Sequence, residues 1–115
     1  MSELADQVVD LVERNGMASK RIGEVQEMAA ARFEVTQDEM SSGGVHGKNI
    51  DFSIVFIVGG TKSQGEVHVR AMSTEASSEE GKVQIHSAVL KGTREGEKDV
   101  RLVKGPPIII DMNKR

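Results

Sequence analysis

Apolar residues near the start of the chain recur at the spacing of one helical face. Leu4, Val8, Leu11 and Val12 fall together, while Asp6, Asp10, Glu13 and Arg14 fall on the other side. This 3.6-residue period predicts an amphipathic helix over 3–15. Ser2 suits its N-cap, Glu3 and Asp6 suit its first turn, and Asn15-Gly16 has the chemistry of a left-handed stop. A short helical turn, "ASKRIG", follows and ends at Gly23. The next piece, "EVQEMAAARFEVTQDEM", carries two patterns. Val25, Met28, Ala29 and Phe33 fit a helical period and the alanines favour it, whereas "RFEVTQ" alternates as a strand does. The residues themselves predict helix over 24–31 and strand over 32–36.

After the glycine-rich loop "SSGGVHG" the period shortens to two. In "IDFSIVFIV", Ile50, Phe52, Ile54, Phe56 and Val58 share one face, and Val55 and Ile57 make the other largely apolar as well. A strand apolar on both faces belongs in the middle of its sheet. "EVHVRAM" points Val67, Val69 and Ala71 inward and His68 and Arg70 outward. The acidic loop "STEASSEEG" leads to a third strand, "KVQIHSAVL", with Val83 and Ile85 inward, and "VRLV" makes a fourth. Beyond "KGPP", the run "IIIDMNKR" either adds an edge strand or projects as a tail over 105–115. The expected architecture is α+β: an N-terminal helix packed on an antiparallel β-sheet meander, in a single domain over 1–115.

Composition narrows the function classes. With 115 residues, 37% apolar and three Phe as the only aromatics, the core must come from Val, Ile, Leu and Met. A net charge of −3 opposes a basic phosphate-binding stripe, so no nucleic-acid partner is expected. With no Cys, disulfides, thiolate catalysis and Cys-ligated zinc are all excluded. No window approaches the ~18 apolar residues of a membrane span, and "MSELADQ" resembles no signal peptide. The chain reads as soluble, with membrane association expected only if an anchor precedes Met1 in a longer protein.

The loop "GGTKSQG" between two strands invites comparison with a phosphate cradle. A P-loop needs GxxxxGK[ST] opening a helix; here no GK[ST] is present and a strand follows. "GGVHGKN" at 43–49 fails in the same way. The loop reads as a corner in which Gly60 or Gly65 supplies a positive φ. His46, His68 and His86 show no HxH or HxxxH spacing; His68 and His86 read as solvated strand residues on one outward face. There is no GxSxG elbow, and Glu79–Glu80 lies in a solvated loop. No catalytic constellation, metal or cofactor is expected.

Several turn-and-strand patterns together resemble a known family. A helix ending "LVERNG" precedes "KRIGEVQ", a Gly-Gly corner at 43–44, an apolar strand into "GGTKSQGEVHVRA", and "KVQIHSAVLKG…KDVRLV". This is similar to the cytochrome c oxidase assembly factor one family and its relative, the Tim-twenty-one subunit of the mitochondrial presequence translocase. Gly23, Gly60, Gly65, Val67, Val69 and Ala71 occupy the positions of the family's "GxKGxGxVxVxA"-type corner and preceding turn. The family's transmembrane anchor and the aromatic before its last strands have no counterpart here. The resemblance implies β structure over 25–35 and a non-catalytic docking module that binds partner proteins through loops and sheet edges, at the mitochondrial inner membrane or intermembrane space. Lys62, His68, Arg70, Glu79, Glu80, Ile108, Ile109 and Ile110 are the candidate contacts for such a partner, whose identity is not legible. The alternative is a small ligand-binding or cystatin-like inhibitory domain, although "SQGEV" lacks the QxVxG order of the cystatin wedge.

Overall fold

The structure is a computed structural model and describes residues 2–42, 45–74, 82–92 and 95–111. Two helices, α1 (Ser2–Arg14) and α2 (Gly16–Ile22), precede six strands: β1 (Val25–Ser42), β2 (Val45–Gly60), β3 (Gln64–Thr74), β4 (Lys82–Leu90), β5 (Val100–Arg101) and β6 (Ile108–Asp111). All strand pairs are antiparallel. The order is β1-β2-β3-β4, and the far edge of β4 is shared by β5 at its Val89–Leu90 end and β6 at its Lys82–Ile85 end. The fold is therefore the expected α+β arrangement, and the isoleucine run docks as a strand on β4.

Leu4, Val8 and Val12 of α1, with Ala18 and Ile22 of α2, pack on one face of the sheet against Ile54, Phe56, Val58, Val67, Val69, Ile85 and Leu90. Leu11 and Phe52 lie at the margin of this core, partly buried. Asn15 corrects the expectation of a left-handed stop. Its backbone is extended, with φ −83°, and its side-chain oxygen accepts from the Met17 and Ala18 N–H groups as the N-cap of α2. One asparagine thus ends the first helix by starting the second.

The corner after β2 is also corrected in its details. Neither Gly60 nor Gly65 has a positive φ; among the described residues that conformation belongs to Gly23, Gly96 and Gly105. Gly60 is required by close approach, because a Cβ there would press into the Ile22 carbonyl. The Lys62 and Ser63 N–H groups both donate to Ile22 O, at 2.9 and 3.3 Å, and the Thr61 N–H donates to Glu24 O at 3.0 Å. The Ser63 hydroxyl donates to Arg21 O at 2.6 Å. The corner satisfies the orphan carbonyls at the end of α2, so those N–H groups already have protein acceptors.

The residues alone predicted helix over 24–31, but 25–31 is strand, the β structure expected over 25–35 from the resemblance. Opposite Gly60, Val58, Phe56, Ile54 and Phe52 on one face of β2 stand Val25, Met28, Ala30, Phe33 and Val35 of β1. Register shifts at Val25/Glu27 and Ala30/Arg32 leave Gln26 and Ala31 as extra residues. Each bulge turns a spacing of two into a spacing of three, so 25→28 and 30→33 imitate a helical period.

Candidate functional site

The length of α1 decides what the helices leave open. Thirteen helical residues span about 20 Å, whereas an 18-residue bulged strand such as β1 runs for on the order of 50 Å, the long dimension of the molecule. The helix cannot cover the whole of the β1–β2 hairpin. On the uncovered part, Phe33 and Val35 are each 50% exposed although they share the face that carries the core. The Phe33 ring meets that of Phe52 at a centroid distance of 5.8 Å and a tilt of 43°. Ala30 on the same face is exposed too. The result is an apolar patch continuous with the core but open to solvent.

This patch adjoins an open sheet edge. Among the described residues, β1 pairs with β2 alone. At its start the Val25 N–H donates to the Glu13 carboxylate at 3.2 Å. Beyond Ala31 the β1–β2 register runs without a break from Arg32 to Ser42. The whole of 25–42 contains no Lys and no Pro, the residues that commonly blunt an edge. Arg32 and Glu34 alternate with Phe33 and Val35, exposed on the opposite face of the strand.

The residues expected to meet a partner are dispersed. Lys62 is exposed at the β2–β3 corner, and His68 and Arg70 lie on the face of β3 away from the helices. Ile110 is buried in the core and Ile108 packs against it, while Ile109 is 62% exposed on the outward face. Glu79 and Glu80 fall outside the described residues. His86 is the extra residue of a bulge in β4, exposed beside a groove that Arg70, Asp51 and Glu34 also line. No group of three His, Asp or Glu capable of holding a metal occurs among the described residues. Phe33 and Val35, neighbours on one face of β1 with Arg32 and Glu34 on the other, fall in the strand expected over 32–36, but no local pattern shows that this part of the strand lies uncovered at a sheet edge.

A second concavity of about 630 Å³ is lined by Lys20, Arg21, Lys62 and Lys91 beside the corner. Two of these cations are already engaged. The Arg21 guanidinium donates to Lys98 O at 2.8 Å and lies 3.5 Å from Glu97. Lys91 pairs with Asp99 at 2.9 Å. Asp99 also accepts from the Gly92 N–H at 2.9 Å, and this bond, then Lys91, holds its carboxyl below the ordinary aspartate range. These contacts tie the segment after β4 to α2 and to the sheet.

No described helix is long and apolar enough to cross a membrane. Comparison with known protein families, curated proteins and solved structures finds no match to this chain.

Proposed function

We propose that the chain is a non-catalytic protein-interaction domain that receives a partner strand along the open edge of β1. The single observation carrying this reading is the pair Phe33 and Val35, half exposed on the core side of an edge that has no strand partner among the described residues. Strand addition draws its affinity from main-chain hydrogen bonds and its selectivity from side chains on alternate positions. The edge offers the first, and the patch of Phe33, Val35 and Phe52 offers an apolar anchor for the second. The likeness to the cytochrome c oxidase assembly factor one and Tim-twenty-one domains supports the same class of activity, docking during assembly of a respiratory or translocation complex.

A photoreactive residue in place of Val35, compared with one in place of the exposed Arg101, tests the reading in living cells. Cross-links to protein should form from position 35 and fall away when Phe33→Asp is added. Cross-linking from position 35 no greater than that from position 101 would remove the β1 edge as the docking surface.

A further inference from the structure

We infer that the partner of the β1 edge is a second copy of this chain, docked by antiparallel β1–β1 pairing about a two-fold axis through Phe33. This rests on the docking reading above and adds the identity of the occupant. A two-fold interface must be self-complementary: whatever residue i meets on residue j, j must meet on i. Residues directly opposite on antiparallel strands share a face, so each possible axis position makes a definite set of pairs.

An axis at Phe33 sets Phe33 against its own copy on the helix side. On the other face it sets Arg32 opposite Glu34 of the second copy, and symmetry repeats that opposite-charge pair. With Ala31 left out of the new ladder, as it is left out against β2, Val35 comes opposite Ala30 and Thr36 opposite Ala29. The small alanines leave room for both. The ladder ends short of Glu27 and Asp38, which a longer one would set against each other. Moving the axis one residue to Glu34 places two carboxylates directly opposite each other, and moving it to Arg32 places two guanidinium groups so. An axis at Val35 sets Glu34 against Thr36 and Phe33 against Gln37, which loses both the Arg32–Glu34 pair and the ring contact. Of the axes from Arg32 to Val35, the Phe33 position alone sets two rings on the axis and opposite charges immediately beside it.

The arrangement also accounts for the patch. Two Phe33–Phe52 pairs, each already in ring contact within its chain, would meet across the axis and bury the half of Phe33 that is now open. Two-fold pairing consumes each β1 edge in the other and leaves only the short β5 and β6 edges at the two ends of the joined sheet.

Sedimentation of the full chain over a range from sub-micromolar to high micromolar concentration tests the inference through charge reversal. The wild type should show a concentration-dependent dimer. Arg32→Glu alone and Glu34→Arg alone each place like charges opposite one another twice, and each should weaken dimerisation by about tenfold. The double variant R32E/E34R restores opposite charges and should dimerise as the wild type does. Both side chains are exposed, so each variant should keep the wild-type circular dichroism spectrum, which is recorded alongside. A chain that stays monomeric throughout overturns the inference, while cross-linking from position 35 decides independently whether the edge binds another protein. A dimer indifferent to both single reversals, or one that the double reversal fails to restore, overturns the Phe33-centred pairing.

Discussion

Phe33 on the edge strand packs its ring 5.8 Å from that of Phe52 on β2, yet half of its surface is open to solvent. The pair marks the point where the helical layer stops and the sheet continues. Along the same face of β2, Phe56 is fully enclosed and Phe52 is only partly so. Burial therefore falls along the hairpin in the direction that leads away from the helices.

That gradient should appear in stability. In dilute solution Phe56→Ala should cost about 3–5 kcal/mol, the range for a large aromatic removed from a core. Phe33→Ala should cost about 1 kcal/mol, the worth of one partly exposed aromatic pair. Urea unfolding midpoints measure both, and equal losses would mean that Phe33 is covered.

Glycine substitutions should separate close approach from chain entropy. Gly60→Ala must displace the Ile22 backbone and its Cγ2, which would lie 2.6 Å from the new methyl, and should cost about 1–3 kcal/mol. Gly16 opens α2 with nothing within 4 Å of a Cβ, so Gly16→Ala should stabilise by about 0.5–1 kcal/mol. Thermal unfolding of the two variants should move in opposite directions.

Asn15 satisfies two N–H groups of α2, at 3.0 and 3.1 Å. Asn15→Ala should lose about 1 kcal/mol, and Asn15→Asp should retain most of the cap. Denaturant titration of the pair distinguishes a capping role from simple packing.

Asp99 makes a pH-dependent contribution whose sign is fixed by its partners. Its folded pKa lies below the ordinary value because the Gly92 N–H and Lys91 favour the carboxylate. The stabilisation is therefore complete above the ordinary aspartate pKa of about 3.9 and is lost as pH falls through the lower folded value. Asp99→Asn should be less stable than the wild type near neutrality, and the difference should shrink on acidification. A difference that grows with acid would contradict the Gly92 and Lys91 contacts.

The final strand should behave as part of the sheet. Ile110→Ala should cost about 2–5 kcal/mol, and the outward-facing Ile109→Ala should stay within about 0.5–1 kcal/mol of the wild type. Slow amide exchange in β6 would accompany this, because its residues pair with Lys82–Ile85. Fast exchange throughout β6 would mean that the strand is undocked.

The sequence by itself determined the elements whose period is unbroken. Leu4, Val8 and Val12 at helical spacing, and Phe52, Ile54, Phe56 and Val58 at spacing two, each admit one secondary structure with one buried face. The centrality of β2 was legible because residues on both of its faces are apolar. The strand over 32–36 was legible from its alternation, but tertiary structure decided the first part of β1, 25–31, where the extra residues Gln26 and Ala31 exist only as bulges against a partner strand. It also decided the task of the glycine-rich corner, since Gly60 has an ordinary backbone conformation and is needed only because Ile22 O lies beside it. The exposure of Phe33 and Val35 was hidden as well. Local pattern says which side of a strand is apolar, but exposure depends on how far a distant helix reaches, and α1 is too short to reach Phe33 and Val35.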